Sequence, residues 1–239
     1  MLVEVCANSL QSAINAKEAG ADRIELCSEL GVGGITPSYG LIQLAREKLS
    51  LPIHVLIRPR SGHFTYSPTE FEVMRRDIAI CKSIGVHGIV SGVLSSDAQL
   101  DVVRTQLLVE LAKPLHFTFH RAFDWVPYPE RTLEQLQTIG VATVLTSGQR
   151  HRAVESVETL KQWQQSTSMA IMAGGGIGPE NALEFKKAGL QALHLSGTTF
   201  IQGVAMDRKI PMNSEKQLSE HQVAVTNYDV IRQTIQRIT

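Results

Sequence analysis

Two glutamates and two cysteines occupy the first two β-rich runs of this sequence, and these residue types bind metal ions or move protons. Cys6 follows Glu4 by two residues, and Cys27 follows Glu25 by two residues. Residues two apart on a strand share a face, so each run presents a carboxylate beside a thiol. Thiolates select Cu(I) and also hold zinc. The alternative is a pair of free core cysteines, which are common.

A second candidate for proton transfer lies in the segment that leaves the fifth β-rich run. A histidine ordinarily titrates near neutrality, which makes His120 a candidate, and Asp124 lies four residues further on, where it could orient the imidazole. The alternative is that Asp124 caps or turns the following loop. With Glu4 and Glu25, these two residues complete the set of candidate catalytic side chains.

Residues suited to an anionic ligand follow three other β-rich runs. Arg58 and Arg60 offer planar, bidentate donors for a carboxylate or a phosphate. Small residues let backbone N–H groups approach an anion, and five of them follow the last two runs: Gly174, Gly175, Gly176, Ser196 and Gly197. The alternatives are that the arginines pair with Glu4 and Glu25, and that the glycines only form a tight turn.

Short β-rich runs alternate with runs of helical periodicity along the chain. The predicted strands are Leu2–Cys6, Arg23–Cys27, Ile53–Arg58, Gly88–Ser91, Leu115–His120, Thr143–Thr146, Ala170–Ala173 and Ala192–Ser196. The predicted helices are Ser9–Ala19, Ser38–Lys48, Pro68–Ile84, Ala98–Ala112 with Asp97 as N-cap, Pro129–Ile139, Ala153–Gln165, Pro179–Ala188 and a last helix at 228–237. Residues 198–225 are predicted to be irregular. No linker interrupts residues 1–239, so we expect a single domain.

Eight strands alternating with helices over 239 residues predict a closed, parallel (β/α)8 barrel rather than an open doubly wound sheet. Helices must cover the apolar outer face, so the polar face of each strand points into the barrel. Ionisable groups there must be paired or hydrogen-bonded. Two interpretations of these groups follow. They are internal charge pairs that fix the strand register, or they form a functional site at the carboxyl ends of the strands. The predicted interior groups are Glu4, Glu25, His54, Arg58, Arg60, His116, His120 and His194.

Composition excludes several classes of protein. Lysine plus arginine and aspartate plus glutamate both total 23, and this balance argues against a nucleic-acid-binding surface. Hydrophobic residues make up 43% and charged residues 19%, unlike a disordered chain. No apolar run reaches the length of a membrane span, and no basic segment precedes the first apolar run, so we expect no signal peptide. Three cysteines form no disulfide framework, and we expect a cytoplasmic protein.

Eight segments together resemble the CutC family, which is linked by name to copper homeostasis. They are Asn8–Ser9, GADRIELC (20–27), GGITPSYG (33–40), IRPRSGHFTYS (57–67), FTFHRAFD (117–124), VLTSGQ (144–149), MAGGGIGPEN (172–181) and HLSG (194–197). The resemblance runs to about residue 200. It implies a triosephosphate-isomerase (TIM) barrel and a cytoplasmic, copper-binding protein of copper tolerance.

By this resemblance, Cys6 and Cys27 are the thiolates for copper(I). Some relatives carry a further cysteine where this sequence has Ala7 or Thr65, but two thiolates suffice for linear Cu(I) coordination. The arginines and the glycine loop are not explained by copper. An alternative function is therefore an enzyme that acts on a small phosphorylated or carboxylated molecule, and a third is a structural or interaction protein. Barrels of this kind often pair, so we expect a homodimer as one arrangement.

Overall fold

Eight short parallel strands hydrogen-bond in chain order, and the last strand pairs with the first to close a barrel. The computed structural model describes residues 1–203, 210, 212, 220 and 222–239. The strands are β1 Leu2–Ala7, β2 Arg23–Leu26, β3 Ile53–Leu56, β4 Gly88–Ser91, β5 His116–Phe119, β6 Thr143–Thr146, β7 Ala170–Gly174 and β8 Ala192–Leu195. The predicted parallel TIM barrel is confirmed, and the open sheet is wrong because β8 pairs with β1.

Helices follow the strands and cover the outside of the barrel. They are α1 Leu10–Glu18, α2 Tyr39–Lys48, α3 Pro68–Ile84, α4 Val102–Ala112, α5 Pro129–Thr138, α6 Val157–Ser166, α7 Ala182–Lys187 and α8 Tyr228–Ile238. Short 3-10 helices lie in the loops at Leu30–Val32, Arg121–Trp125 and Ala153–Ser156. Among the described helices, none combines the length and hydrophobicity required to cross a membrane.

Local sequence signals explain most helix ends. At the start of α3, the Ser67 hydroxyl accepts from the Glu70 N–H and the Glu70 carboxylate accepts from the Ser67 N–H, a reciprocal capping box. The predicted N-cap of α4 is wrong. The helix begins at Val102, and Asp101 accepts a hydrogen bond from the Arg104 N–H at 3.0 Å, whereas the Asp97 carboxylate is bonded to side chains of the preceding loop.

The predicted irregular segment 198–225 contains two strands within its described part, which corrects that expectation. Strands β9 (Thr198–Gln202) and β10 (Gln222–Thr226) pair antiparallel. The pair contacts α1, because Asn15 donates a side-chain hydrogen bond to the Thr226 carbonyl at 2.9 Å. The remaining residues of that segment, 204–209, 211, 213–219 and 221, lie outside the described part. Branched and aromatic residues of β9 suit a strand, and each strand supplies the other's backbone partners.

Strand periodicity divides the buried residues into two layers, as predicted. The main apolar core lies between the barrel and the helices, and includes Val3, Val5, Ile24 and Ile53 from the strands together with Met74 from α3. The opposite faces point inward. There, two small apolar clusters adjoin the buried polar groups: Cys6, Cys27, Leu56 and Val90 form one, and Leu145, Met172 and Ala192 form the other.

Gly88 provides a test of how tightly the interior packs. A Cβ atom built on Gly88 would lie 2.5 Å from ring atoms of the buried His54. We expect Gly88→Ala to destabilise the protein by about 1–3 kcal/mol through overpacking. Gly40 of α2 is the matched control, since its added Cβ would meet nothing within 4 Å and Gly40→Ala should stabilise by up to about 1 kcal/mol. Urea unfolding measures both, and equal effects would contradict the packing argument.

Candidate functional site

A cavity of about 480 Å³ opens at the carboxyl ends of the strands. Eight of the predicted site residues line it: Cys6, Glu25, Arg58, His120, Asp124, Gly175, Gly176 and Ser196. Five others lie outside its lining: Glu4, Cys27, Arg60, Gly174 and Gly197. Its volume is in the range of small-molecule sites. The structure therefore brings most of the predicted chemistry into one cavity.

Glu4 lies beneath the cavity and is fully buried. Its Oε2 accepts from Arg23 Nε at 2.6 Å, and its Oε1 is 2.8 Å from His194 Nδ1. Burial alone would raise the pKa of this carboxyl. The hydrogen bond with His194 and the charges of Arg23, His194 and His54 outweigh burial and lower the pKa to about 2. Glu4 is thus a buried, ionised and fully paired carboxylate.

Arg23 is the main functional residue that the sequence analysis missed. Its Cα is directly opposite Glu4 in the β1–β2 register, and it shares the inward face of β2 with Glu25. Because Arg23 and Glu25 are two residues apart on the same strand, the sequence already indicated that Arg23 points inward. The expectation that Arg58 or Arg60 would pair with Glu4 or Glu25 is wrong, because Arg23 occupies that position.

Glu25 has the opposite electrostatic character. Burial raises the pKa of this carboxyl to about 7, since the charges of His194 and Arg23 compensate only in part. Its Oε1 is 3.6 Å from the Cys6 thiol, and its Oε2 lies 3.9 Å from His194 Nδ1. Within the described residues, Oε2 is buried without a hydrogen-bond partner. Burial lowers the pKa of His194, but the nearby Glu25 and Glu4 prevail and the net shift is upward.

The two cysteines predicted to converge are in contact. Their sulfur atoms lie 3.4 Å apart, and both thiols are buried and free. The hydrogen bond with Cys27, burial and the adjacent carboxylates raise the pKa of the Cys6 thiol well above its usual value. Cys6, Glu25 and His194 also offer ligand atoms that lie within 4.8 Å of one another. The two thiols suit a soft metal ion, whereas the carboxylate of Glu25 is a hard ligand and the imidazole of His194 suits borderline ions such as zinc.

Arg58 is committed to the loops that surround the cavity. Its Nη1 donates to the carbonyls of Val32 and Gly34 at 2.9 and 2.6 Å, and its Nη2 donates to the Gly62 carbonyl at 2.8 Å. Its Nε, also buried, has no hydrogen-bond partner in the described structure. The Tyr66 hydroxyl also interacts with this guanidinium. Arg58 is thus held at the cavity by protein groups, and Nε is the donor that forms no hydrogen bond within the described residues.

Arg60, predicted to bind an anion, lies outside the cavity lining and is bonded to protein groups. It forms an ion pair with Glu70, with Nε 2.5 Å from Oε1, and donates to loop carbonyls that include Thr65 at 2.8 Å. Because the chain has left β3 at Leu56, strand parity no longer determines the direction of this side chain. It points to the start of α3 instead of into the barrel.

His120 and Asp124 both line the cavity but do not form the predicted pair. His120 Nδ1 accepts from the Ala122 N–H at 3.2 Å. The Asp124 carboxylate accepts from Arg121 Nε at 2.7 Å and from the Ser147 N–H at 3.0 Å. Asp124 thus holds the loop that follows β6, a role that differs from both the predicted pairing with His120 and the predicted turn in its own loop. Burial and the charge of Arg58 lower the pKa of His120 to about 3, so its imidazole is neutral at physiological pH.

The glycine-rich segments divide into packing positions and cavity positions. A Cβ on Gly174 would lie 2.5 Å from Leu145, and one on Gly197 would lie 2.6 Å from Ile231. Close packing therefore explains why these two positions are glycine. Neither residue lines the cavity, and their role in anion binding stays a prediction.

Gly175, Gly176 and Ser196 remain candidates for contact with a ligand, since they line the cavity. Arg121, which the sequence analysis did not select, lines it too and donates from Nη2 to the Ser147 hydroxyl at 2.8 Å. A Cβ on Gly175 would lie 3.6 Å from the Arg121 guanidinium. This part of the cavity mouth therefore combines small residues with a cation.

The sequence profile of the CutC family matches residues 1–199. A family protein CutC from Erwinia tasmaniensis is 38% identical over 232 residues, covering 96% of this chain and 92% of that protein. One from Chromobacterium violaceum is 44% identical over 182 residues, covering 75% and 74%.

Solved structures agree with this assignment. A crystal structure of CutC from Streptococcus agalactiae, whose name assigns it provisionally to copper homeostasis, matches with a TM-score of 0.79 and 30% identity over 82% of this chain and 98% of that one. Thiamine phosphate pyrophosphorylase from Pyrococcus furiosus matches at a TM-score of 0.61 and 13% identity, over 99% of this chain and 95% of its own. The second match shows the shared fold alone.

Glu4→Gln tests the charge balance beneath the cavity. We expect this variant to lower the free energy of unfolding by about 3–5 kcal/mol at pH 7, because the change leaves Arg23 buried without its counter-charge. Glu72→Gln, in an exposed ion pair with Arg76, is the matched control and should leave the free energy of unfolding nearly unchanged, because solvent screens exposed pairs. Urea unfolding measures both.

The contribution of Glu4 to the free energy of unfolding should depend on pH. The pKa of Glu4 is about 2 when folded against 4.5 ordinarily, so its contribution is present above the unfolded value and is lost as pH falls toward the folded value. The gap between wild type and Glu4→Gln should therefore narrow in acid. A gap that stays constant down to the acid limit of folding would contradict the assignment of Glu4 as the ionised partner.

Proposed function

The chain belongs to the CutC family, and from that premise we propose that it binds copper(I) through the thiolates of Cys6 and Cys27. In this proposal the protein acts in copper homeostasis in the cytoplasm, and copper(I) is its cargo. The name of the Streptococcus agalactiae relative supports the copper link. A homodimer stays a prediction from the sequence.

The contact between the two sulfur atoms carries the proposal. At 3.4 Å apart, the thiols need only a small separation to bind one ion between them, since metal–thiolate bonds are about 2.3 Å long. Copper(I) prefers soft thiolates. Glu25 and His194 adjoin Cys6 and supply a third donor or a counter-charge. Because the pKa of the Cys6 thiol is raised well above its usual value, Cys6 is protonated at neutral pH and copper binding in this proposal releases its proton.

Competition against a chromogenic copper(I) chelator under reducing, anaerobic conditions tests the thiolate site. We expect Cys6→Ser and Cys27→Ser each to weaken binding at least about tenfold, and the double variant to abolish it, because each removes one soft ligand. Cys81→Ser is the matched control, since Cys81 is a buried free thiol on α3. A copper(I) affinity that is weak in the wild type, or that is unchanged in the double variant, would contradict the copper proposal.

We propose as a second candidate that the cavity binds and converts a small phosphorylated or carboxylated molecule. Three buried polar atoms without a hydrogen-bond partner among the described residues support it: Glu25 Oε2, Arg58 Nε and His120 Nε2. All three belong to residues that line the same cavity. Buried polar groups cost free energy unless a partner satisfies them, and a ligand is one such partner. Of the four candidate catalytic side chains, Glu4 is paired with Arg23, and Asp124 is bonded to Arg121 and Ser147. The imidazole of His120 is neutral, so Glu25, with a pKa of about 7, is the proton carrier in this proposal.

Glu25→Gln separates the two candidate functions. Wild type incubated with a panel of small phosphorylated and carboxylated compounds should convert at least one, and Glu25→Gln should reduce that rate at least about 100-fold. Cys27→Ser should retain the rate, because Cys27 does not line the cavity. Product formation is followed by NMR, with thermal midpoints as a check on folding. Wild type that converts no compound, or Glu25→Gln that converts at the wild-type rate, would contradict this candidate.

A further inference from the structure

The tautomer of His120 follows from its hydrogen bonding. Nδ1 accepts the backbone N–H of Ala122 at 3.2 Å, so Nδ1 carries no proton. A neutral imidazole then carries its proton on Nε2. His120 is 5% exposed and its Nε2 has no partner within the described residues. The side chain therefore presents a single, buried N–H donor to the cavity.

Arg58 presents a second donor of the same kind. Its three bonds to the carbonyls of Val32, Gly34 and Gly62 fix the plane of the guanidinium. The remaining Nε–H is buried, without a partner in the described structure. An arginine never accepts a hydrogen bond. The Tyr66 hydroxyl interacts with the Arg58 guanidinium, but neither that hydroxyl nor Arg58 Nε forms a hydrogen bond of normal geometry within the described residues. An acceptor that enters the cavity would satisfy the Nε–H.

Phe64 places the two donors on one wall. Its ring centroid lies 4.8 Å from that of His120 and 5.2 Å from the Arg58 Cζ atom. All three residues line the cavity. Trp125 extends this wall toward solvent, with its ring 4.9 Å from Phe64 and half of its surface exposed. The wall therefore combines two N–H donors with aromatic surface.

The charge on this wall is unbalanced. Arg58 is 5% exposed, and the hydrogen bonds of its guanidinium go to neutral carbonyls. In the part of the chain that the structure describes, Arg58 forms no ion pair with a carboxylate. A buried cation is stabilised when an anion pairs with it. Because the imidazole of His120 is neutral, the wall carries one positive charge and two donors.

We propose that the Nε–H of Arg58 and the Nε2–H of His120 together bind one carboxylate group of the ligand. The inference rests on the second proposed function and narrows its substrate class to small carboxylates. One negative charge matches the charge of Arg58, and each donor satisfies a carboxylate oxygen. A phosphate group brings a further charge and a third oxygen, for which this wall has no donor. The aromatic surface of Phe64 and Trp125 contacts the rest of the ligand.

Three ligands that share a phenyl ring but carry different polar groups test the selectivity of the wall. Isothermal titration calorimetry compares benzoate, benzamide and phenyl phosphate, whose ring suits the aromatic surface. We expect benzoate to bind at least about tenfold more tightly than each of the other two, because charged hydrogen bonds are the stronger ones. Pyruvate and pyruvamide repeat the comparison without the ring. Equal binding of benzoate and benzamide, or tighter binding of phenyl phosphate, would overturn the carboxylate assignment.

Two variants of His120 assign the binding to this residue. His120→Asn keeps an acceptor near Nδ1 for the Ala122 N–H but removes the Nε2 donor, whereas His120→Gln places an amide N–H near the Nε2 position. We expect benzoate affinity to fall at least about tenfold in His120→Asn and to recover in His120→Gln. If His120→Asn does not fold, ¹⁵N NMR of the wild-type ring gives the same information, since benzoate should shift the His120 Nε2 resonance.

The outcomes separate this inference from the function on which it rests. Benzoate or phenyl phosphate that binds without an effect of His120→Asn, or without a shift of Nε2, overturns the subsite but leaves the small-molecule function standing. Failure of every carboxylate and phosphate to bind overturns both. Copper(I) affinity is a separate measurement and is unaffected by either result.

Discussion

A carboxylate with no exposed surface lies at the centre of this barrel, and the arrangement of the neighbouring strands depends on its partners. Burying Glu4 as an ion costs several kcal/mol unless it is paired and hydrogen-bonded. Arg23 on β2 and His194 on β8 provide those bonds. Because β1 lies between these two strands, the bonds fix the register of three consecutive strands where the barrel closes. A one-residue slip of β2 or β8 would turn its partner group outward.

The same charge balance gives the second carboxylate a different character. Arg23 and His194 are committed to Glu4, so Glu25 receives only part of their charge and burial dominates its pKa. Glu4 and Glu25, on adjacent strands, thus differ in pKa because of their environments alone. The pKa of Glu4 is about 2, so this carboxylate stays ionised, whereas the pKa of Glu25 is about 7. Such divergence is the arrangement by which proteins assign different roles to like groups. Here it separates the structural carboxylate from the one exposed to the cavity.

Strand periodicity made the barrel predictable. It also predicted that Glu4, Glu25 and His194 point inward, because the helices cover the outer face of each strand. Arg23 was equally predictable by its parity with Glu25. The arginines after β3 were not, since beyond Leu56 the chain follows loop carbonyls that periodicity does not describe. The β9–β10 pair escaped prediction because its strands are far apart in the sequence, and each requires the other to form.

The cavity therefore has two ends with different origins. Its deep end, with Cys6 and Glu25, is built by strand residues whose positions follow from closure of the barrel. Its wall, with Arg58 and His120, is built by residues just past the ends of β3 and β5, which the loops hold. Thiols and a carboxylate at the deep end favour a cation, whereas the unbalanced guanidinium on the wall favours an anion. Ligands of opposite charge at these two ends do not compete for the same groups. Loops vary more readily than strands, so the wall is the part of the cavity in which ligand preference can change without disturbing the charge balance around Glu4.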